Sequence, residues 1–240
     1  MSSFSVASFN TRWGLTVDDR PFDLDRTCAA LDADLLAVQE VWQPHDGEPT
    51  LAEVADRTRA SLHTVALSGS TVTPRPEITA DPDRADGTWG IALLSRLPVI
   101  TTRVLDLGRL VERWDVATRY AITAEVLVDD TPVVVAAIHL SFALPNALAQ
   151  LRRLDGALPR HRPTVIVGDC NLWGPAARAV LRDRRRAVVG RTWPAHRPHS
   201  QLDHIFVSPD IAVRHGEVRP PAGSDHRPIR AELALARRAT

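Results

Sequence analysis

Short apolar runs alternate with amphipathic segments along most of the chain, and this alternation predicts a mixed α/β fold. Runs of about four to eight apolar residues, rich in β-branched side chains, are typical of buried strands. Apolar residues that recur every three to four positions indicate helices with one buried face. The predicted strands are 4–10, 35–40, 62–67, 89–95, 99–105, 119–128, 132–139, 164–168, 187–190, 202–207, 212–218 and 228–235, and we expect the four from 89 to 139 to be antiparallel to one another. The predicted helices are 23–31, 49–60, 146–157 and 175–185.

Two features of this pattern bear on domain organisation. The segment 68–88 is rich in Pro, Thr, Asp and Gly and has no regular apolar spacing. A loop of that length in a compact domain is usually functional or disordered, and we expect this one to overhang a binding site. No repeat, linker or low-complexity segment interrupts the 240 residues. We therefore expect a single domain that spans residues 1–240.

Polar side chains able to bind a metal ion or a phosphate lie at the ends of several predicted strands. Asn10, Glu40 and His139 each end an apolar run, Asp203 lies within another, and Asp225-His226 precedes the last strand. Any one of these residues is more often an ordinary surface group. Their repeated placement at strand ends favours a shared site.

A further motif, Gly168-Asp169-Cys170-Asn171, follows the β-branched run Val165-Ile166-Val167. Side chains two residues apart in an extended chain point to the same face, so Asp169 and Asn171 would reach one ligand while Cys170 faces away. Gly168 would allow close backbone approach where the strand meets its loop. The alternative is a simple turn, in which the Asp and Asn side chains bond their own backbone.

These residue types together indicate phosphoester chemistry. A carboxylate beside an imidazole, with a carboxylate and an amide two residues apart, can bind a divalent cation and hydrolyse a phosphoester. Hard oxygen ligands suit Mg²⁺ or Mn²⁺ rather than zinc. We therefore expect a Mg²⁺ or Mn²⁺ cofactor.

The charges balance over the whole chain but not along it. The chain has 29 Arg, no Lys and 29 acidic residues. Residues 1–120 hold 12 Arg against 18 acidic residues, and residues 121–240 hold 17 Arg against 11. Neutrality argues against an extended electrostatic footprint for duplex DNA, although a local basic patch could still hold a phosphate backbone.

The cysteines and the N-terminus bear on cellular location. Cys28 and Cys170 are far apart in sequence, and we expect both to be reduced and buried. The chain enters a strand within a few residues of its start, with no signal-like segment and no apolar stretch near the roughly 18 residues of a membrane span. A cytoplasmic enzyme without a membrane span is expected.

In order and spacing, these motifs resemble the endonuclease/exonuclease/phosphatase superfamily, which includes pancreatic-type deoxyribonucleases, abasic-site endonucleases, inositol polyphosphate 5-phosphatases, neutral sphingomyelinases and deadenylases. The resemblance covers nearly the whole chain and implies a four-layered α/β/β/α sandwich of two mixed β-sheets flanked by helices. The motifs that carry it are Ser8-Phe9-Asn10, Gln39-Glu40, Trp89-Gly90-Ile91, Ser95-Arg96-Leu97-Pro98, His139-Leu140, Gly168-Asp169-Cys170-Asn171, Leu202-Asp203-His204-Ile205 and Ser224-Asp225-His226-Arg227-Pro228. Members of the superfamily share this catalytic set across very different phosphoesters, so it is weak evidence for substrate.

The resemblance also suggests roles at the metal and the phosphate. Glu40 is the best candidate for the metal ligand, and Asp225 would join it directly or through water. Asn10 would position metal-bound water or the phosphate, the alternative being an amide that caps a turn. Arg119 lies where family members often place a phosphate-contacting Arg, although a surface cation is equally consistent with its position.

Five residues are candidates for catalysis. Asp169 would be the general base or water-orienting group, with Asn171 holding the water or a phosphate oxygen. His226 would donate to the phosphoryl oxygens as an imidazolium, and the resemblance supplies Asp203 as the carboxylate that raises its pKa. His139 resembles the second catalytic histidine of deoxyribonuclease-like members. The strand that would carry its carboxylate partner reads Thr88-Trp89-Gly90-Ile91, so a phosphate-binding role is favoured over an acid role.

The leading functional hypothesis is a divalent-metal-dependent phosphodiesterase or nuclease that directs in-line attack by water. The alternative is a phosphomonoesterase acting on a small phosphorylated metabolite or on an inositol or lipid headgroup. A catalytically inactive binding module is disfavoured, because no expected catalytic position carries an inert residue. The expected partner is a phosphoester substrate, nucleic acid being one candidate, and we expect a monomer.

Overall fold

The computed structural model describes residues 3–45, 49–69, 87–111 and 117–236. They form two six-stranded β-sheets, packed face to face, with helices on the outer faces. The strands are β1 (Ser3–Asn10), β2 (Leu35–Pro44), β3 (Ser61–Gly69), β4 (Gly87–Ser95), β5 (Val99–Asp106), β6 (Tyr120–Val128), β7 (Thr131–His139), β8 (Thr164–Asp169), β9 (Arg185–Arg186), β10 (Asp203–Val207), β11 (Ile211–Val218) and β12 (Ile229–Leu235). The helices are α1 (Leu24–Ala29), α2 (Ala52–Thr58), α3 (Leu144–Ala157) and α4 (Gly174–Val180), with a 3₁₀ turn at Arg12–Gly14. The predicted four-layered sandwich is confirmed.

Each sheet is mixed because it contains one parallel pair of strands. The strand order is β11-β12-β1-β2-β4-β3 in the first sheet and β5-β6-β7-β8-β10-β9 in the second. The parallel pairs are β1 with β2 and β7 with β8, while the other neighbouring strands are antiparallel. Strand β1 contacts β8 and β10 across the interface between the sheets. The two parallel pairs therefore come together in the middle of the sandwich.

Three apolar clusters hold the layers together. The largest lies between the sheets and is built from their inward-facing residues, such as Leu35, Val135 and Ile205. A second cluster joins α3 and α4 to the outer face of the second sheet, and a third joins α1 and α2 to the outer face of the first. Strands buried on both faces explain the continuous apolar runs in the sequence.

Two predicted elements in the C-terminal half are wrong. The helix expected at 175–185 ends at Val180, because Arg184 turns inward and donates to a carboxylate of α3, that of Asp155, at 2.8 Å. The strand expected at 187–190 is replaced by the two-residue β9 at Arg185–Arg186. The Gln201 side chain donates to the Val188 carbonyl at 3.0 Å and accepts from the Gly190 N–H at 3.2 Å. A side-chain amide thus takes the place of a neighbouring strand.

Other differences concern strand length and pairing. Strand β2 continues past its predicted end at residue 40 to Pro44. Strand β4 pairs with β2 and β3, whereas β5 begins the second sheet, so β4 and β5 are not antiparallel neighbours as predicted. Of the loop predicted at 68–88, residues 70–86 lie outside the described residues, and the flanking positions belong to β3 and β4.

Both cysteines match their expected state. Cys28 and Cys170 are buried and free. Burial raises the pKa of both thiols, which keeps them protonated. Within the described ranges, no helix has the length and hydropathy of a membrane span.

Candidate active site

The candidate site lies where the two parallel strand pairs end. Asn10 is the last residue of β1, and Glu40 lies just past the residue of β2 that pairs with it. In the other sheet His139 and Asp169 are the last residues of β7 and β8 and are directly paired. Parallel strands carry their carboxyl ends to the same edge of a sheet. Packing the two sheets therefore brings these four side chains to one rim.

A β-bulge aims the Glu40 side chain. The register between β2 and β4 shifts between Gln39 and Val41, which leaves Glu40 as the extra residue. Its φ is 53°, an uncommon value for a residue with a side chain. A bulge redirects one side chain without ending the strand. Glu40 consequently keeps only 18% of its side-chain surface exposed while β2 continues beyond it.

Gly168 holds the two strands of the second parallel pair close together. Its φ is 144°, and a Cβ built there would lie 2.0 Å from the Ile138 carbonyl oxygen. Such a distance excludes any side chain without a backbone shift. Glycine at this position therefore allows β8 to bring Asp169 alongside the end of β7.

The Asn10 amide links the two sheets at the site. Its Nδ2 donates to Glu40 Oε1 at 3.2 Å and to Asp169 Oδ2 at 3.0 Å. Its Oδ1 accepts the Arg12 backbone N–H at 3.1 Å, which sets the orientation of the amide. Asn10, which is 1% exposed, therefore fixes one carboxylate from each sheet with a single buried group.

Asp169, His226 and Asp203 form a line of three buried groups. His226 Nδ1 lies 2.9 Å from Asp203 Oδ2, a hydrogen-bond distance, and its Nε2 lies 3.8 Å from Asp169 Oδ2. Asp203 is directly paired with Asp169 on the adjacent strand β10. In the part of the chain that the structure describes, this is the one group of three acidic or imidazole side chains whose ligand atoms lie within 4.8 Å of one another. Because Asp203 already holds Nδ1, we interpret the line as a carboxylate–imidazole pair facing a second carboxylate rather than as a metal-binding triad.

The electrostatics of this line favour a charged imidazole. Burial disfavours the imidazolium, but the carboxylates of Asp203 and Asp169 outweigh it and raise the pKa of His226 to about 10. Burial raises the pKa of Asp169 to about 6 against the opposing effect of His226. At neutral pH, His226 is therefore a cation with a free Nε2 side, and Asp169 is an ionisable acceptor.

His139 has the opposite character. Its Nε2 is 3.8 Å from both Glu40 Oε1 and Asp169 Oδ2, beyond hydrogen-bond distance. Burial, with repulsion from Arg119 and His226, holds the pKa of His139 well below its usual range. A neutral imidazole donates from one nitrogen only. The geometry therefore agrees with phosphate binding better than with an acid role for His139.

Trp89 lies on the strand where a carboxylate partner of His139 was sought, and its ring is tilted against the His139 ring. The Trp89 ring lies 5.8 Å from the His139 ring, and the Arg119 guanidinium lies 5.3 Å from the Trp89 centroid. Arg119 is 4% exposed, so it is not the surface cation of the alternative prediction. Through Trp89, the Arg119 guanidinium brings one positive charge towards His139. Trp89 provides no carboxylate to His139.

Asp225 is held by a group that sequence reasoning did not single out, whereas Asn171 lies in a turn of its own motif. Asp225 Oδ2 accepts from the Trp193 indole N–H at 3.1 Å. The Asn171 backbone N–H donates to Asp169 Oδ1 at 2.8 Å, which is the turn bond weighed as an alternative for this motif. The Asn171 side chain donates to the Leu140 carbonyl at 2.9 Å and joins the loops that follow β7 and β8. The motif thus forms a turn, and the same turn leaves Asp169 in contact with Asn10 at the site.

The donor set suits a hard divalent cation. Glu40, Asp169, Asp203 and Asp225 interact electrostatically with one another or with His226. Among the described residues, the cations at the site are His226 and, through His139, Arg119. Burial, opposed by His226 and Asn10, raises the pKa of Glu40 to about 7, so the ionised carboxylate lacks sufficient positive charge. A divalent cation would supply it. Glu40 and Asp225 would provide oxygen ligands. Asn10 Nδ2 donates to Glu40 and its Oδ1 already accepts the Arg12 N–H, so Asn10 would help by holding Glu40.

The structure therefore groups nearly all of the predicted site residues. Hydrogen bonds or contacts below 4 Å connect Asn10, Glu40, His139, Asp169, Asp203 and His226. Asp225 and Arg119 act on this group through charge, and Asn171 contacts it through its backbone. Sequence reasoning missed the Trp193 contact to Asp225, for which the Pro-broken loop around Trp193 carries no signal.

Comparisons with known proteins agree with this arrangement. The model of the Endonuclease/Exonuclease/phosphatase family matches residues 7–226. No curated protein sequence matches the chain.

Solved structures share the fold at low sequence identity. An endonuclease/exonuclease/phosphatase from Beutenbergia cavernae is 20% identical with a TM-score of 0.79, over 98% of this chain and 72% of that one. A mannosyl-6-phosphatase from Bacteroides thetaiotaomicron is 15% identical with a TM-score of 0.70, over 97% of this chain and 100% of that one. A humanized D. rerio TDP2 is 16% identical with a TM-score of 0.68, over 98% of this chain and 100% of that one.

Proposed function

Because the chain belongs to the endonuclease/exonuclease/phosphatase family, we propose that it is a divalent-metal-dependent phosphodiesterase. The observation that carries the proposal is the line of Asp169, His226 and Asp203 beside Glu40. Asn10 bonds both Glu40 and Asp169, and His226 Nε2 lies 3.8 Å from Asp169, so the candidate metal ligand, base and cation are neighbours, which supports the proposal. Phosphoryl transfer needs a positioned nucleophile and neutralised phosphate charge, and this set has a group for each.

The residues have distinct roles in the proposed reaction. Asp169 accepts a proton from the attacking water, and the Asn10 Nδ2 and Asn171 N–H bonds fix its two oxygens. His226 directs its Nε2–H at the phosphoryl oxygens as charge builds in the transition state. Asp203 keeps His226 protonated and fixes its tautomer through the bond at Nδ1.

The remaining predicted residues bind the phosphate or the cation. His139 donates a hydrogen bond as a neutral imidazole, and Arg119 adds positive charge from behind Trp89. Glu40 and Asp225 would hold Mg²⁺ or Mn²⁺, which when bound would supply charge neutralisation at the phosphoryl oxygens. Trp193 orients the Asp225 carboxylate through its indole N–H.

The charge balance favours a diester over a monoester. Among the described residues, the cations that interact with this site are His226 and, through His139, Arg119, so with one divalent cation bound to the four carboxylates little positive charge would remain. A diester brings one negative charge at its phosphate, whereas a monoester dianion brings two. A phosphomonoesterase would require further cations close to the site.

Hydrolysis assays test the proposal. The purified chain is incubated with bis(p-nitrophenyl) phosphate, p-nitrophenyl phosphate, plasmid, single-stranded DNA and RNA, each with MgCl₂, MnCl₂ or EDTA. We expect metal-dependent cleavage of diesters and loss of at least about 10³-fold in kcat for Asp169→Asn. Cleavage of the monoester alone would establish the alternative phosphomonoesterase, and hydrolysis that persists in EDTA would exclude the metal.

The matched control is Asp129→Asn. Asp129 lies in the turn before β7, at the opposite end of that strand from His139. Its φ is 42°, a conformation that Asn also adopts readily. This variant should keep wild-type activity. An equal loss in both variants would show that the Asp169 effect is not specific to the site.

A further inference from the structure

Two exposed aromatic side chains lie on the loops that follow His139 and Asp169 from neighbouring strands. Phe142 and Trp173 are each 69% exposed. Phe142 is three residues past His139, and Trp173 is two residues past Asn171. Because β7 and β8 are parallel and adjacent, both loops leave the sheet at the edge that carries the site.

The helices that follow these loops keep the two rings on the same side. Phe142 immediately precedes Ala143, the N-cap of α3, and Trp173 is the N-cap of α4. The two helices contact each other. Both rings thus lie at the N-terminal ends of neighbouring helices, and Leu144, which is 56% exposed, extends the apolar surface on α3.

A buried amide on α3 adds a third loop to this surface. Asn146 has no exposed surface. Its Oδ1 accepts the N–H groups of Leu110 and Val111 at 3.0 and 2.8 Å, and its Nδ2 donates to the Val111 carbonyl at 3.0 Å. The segment carrying Leu110, which is 66% exposed, is therefore fastened to the start of α3.

A second buried amide, one turn later on α3, fixes the loop after β7. Gln150 has no exposed surface. Its Oε1 accepts the Ser141 N–H and its Nε2 donates to the Gly108 carbonyl, both at 2.9 Å. The Asn171 side chain joins the same loop to the one after β8. These bonds hold exposed apolar residues on a rigid scaffold.

We name Leu110, Phe142, Leu144 and Trp173 the apolar rim. Clustered exposed apolar side chains usually mark a contact surface. A surface that is already ordered loses little entropy on binding. The bonds from Asn146 and Gln150 supply that order, so the apolar rim has the features of a preformed contact site next to the chemistry.

We propose that the apolar rim holds a flat aromatic group of the substrate, such as an unpaired nucleobase, beside the phosphate that is hydrolysed. This inference rests on the proposed phosphodiesterase. Phe142 is three residues from His139 and Trp173 is four from Asp169, so their Cα atoms lie at most about 14 Å from those of the site residues. A substituent of the substrate can span this distance from the phosphate that is hydrolysed. Phe142 and Trp173 offer it two aromatic surfaces, on which a base stacks without regard to its sequence.

The test compares two ligands that differ at one sugar carbon, which carries a thymine base in the first and a hydroxyl group in the second. Thymidine 5′-phosphate and 2-deoxyribose 5-phosphate are titrated calorimetrically into the full chain with MgCl₂. We expect the wild type to bind the nucleotide about 5- to 100-fold more tightly, the range for stacking on aromatic side chains. The variant Phe142→Ala/Trp173→Ala should bind both ligands equally, with the affinity for 2-deoxyribose 5-phosphate unchanged.

The matched control removes two other exposed apolar side chains. Ile100 and Val104 are 52% and 55% exposed and lie on β5, two strands from β7. Ile100→Ala/Val104→Ala should keep the preference for the nucleotide. Circular dichroism and thermal unfolding check that both double variants fold like the wild type.

The outcomes separate this inference from the proposed function. The wild type could bind the two ligands equally and still hydrolyse bis(p-nitrophenyl) phosphate. This result would overturn the proposed role of the apolar rim and leave the proposed hydrolase activity standing. A ring preference that Phe142→Ala/Trp173→Ala abolishes, in a chain that hydrolyses none of the esters, supports the apolar rim and overturns the hydrolase. Sedimentation with phosphatidylcholine vesicles that depends on Phe142 and Trp173, without a ring preference, would assign the surface to a membrane and overturn the inference.

Discussion

Replacing Asp203 by Asn tests the catalytic interpretation most directly, because it removes one charge and little else. The Asp203 carboxylate accepts from His226 Nδ1 through Oδ2, and its Oδ1 has no hydrogen-bond partner among the described residues. An Asn side chain retains an oxygen acceptor for Nδ1 and places its amide nitrogen at the other position. The pair is fully buried, so the substitution alters the charge on His226 rather than the packing.

The magnitude follows from the pKa of His226. Its rise from 6.5 to about 10 corresponds to roughly 5 kcal/mol in favour of the imidazolium. Without the Asp203 charge, burial opposes protonation while Asp169 and Asp225 still favour it, so the pKa should fall from about 10 towards 6.5. A histidine at 6.5 is only about 3% protonated at about pH 8, against nearly complete protonation in the wild type. We therefore expect a loss in kcat/KM of up to about 30-fold at about pH 8.

The sign of the pH dependence distinguishes this cause from general damage. In the wild type, protonated His226 persists until the pH rises through about 10. In Asp203→Asn, it is present only at lower pH. The ratio of wild-type to variant kcat/KM should therefore be smaller at about pH 6 than at pH 8.

The assay is the pH profile of kcat/KM on bis(p-nitrophenyl) phosphate with saturating MgCl₂, together with an NMR titration of the His226 ring. Asp210→Asn, an exposed residue beyond the other end of β10, is the matched control and should follow the wild-type profile. The same fold-loss at pH 6 and pH 8, with a folded variant, would refute the argument that Asp203 acts through the proton on His226.

Three further outcomes test the metal site and the strand geometry. The pKa of Glu40 is about 7 in the folded chain against 4.5, so protonated Glu40 stabilises the fold at low pH and that stability is lost as pH rises through 7. MgCl₂ should therefore raise Tm more at pH 8 than at pH 5.5. The rise at pH 8 should be roughly 3 °C at tenfold excess over Kd, and Glu40→Gln should abolish it. Trp193→Phe removes the indole donor to Asp225, so the Mg²⁺ concentration for half-maximal rate should rise about tenfold, and an unchanged value would contradict the orienting role. Gly168→Ala should lower Tm by about 6 °C or more in calorimetry, because its Cβ would lie 2.0 Å from a backbone oxygen of β7; the control Gly156→Ala in α3, with nothing within 4 Å, should leave Tm unchanged or slightly higher.

The sequence was sufficient to predict most strands and helices, because the local spacing of apolar residues reflects which faces are buried. Strands such as β7 and β8 are apolar on both faces, and that continuous pattern predicts them within a residue or two of the structure. The predicted elements that fail are those decided by distant contacts. The helix at 175–185 ends early because Arg184 reaches Asp155, and the strand at 187–190 gives way to the Gln201 amide. No local pattern encodes a partner that far away in the chain.

The residue types of the candidate site were also visible in the sequence, since polar groups at the ends of buried runs stand out. Their mutual placement was decided only by tertiary structure. Pairing of parallel strands places His139 opposite Asp169, and the packing of the two sheets lets Asn10 bond Asp169 at 3.0 Å. The bulge at Glu40 depends on register with β4. The sequence by itself thus determined the chemistry available to this protein, whereas distances and pKa values arose from burial and neighbours that only the folded sheets bring together.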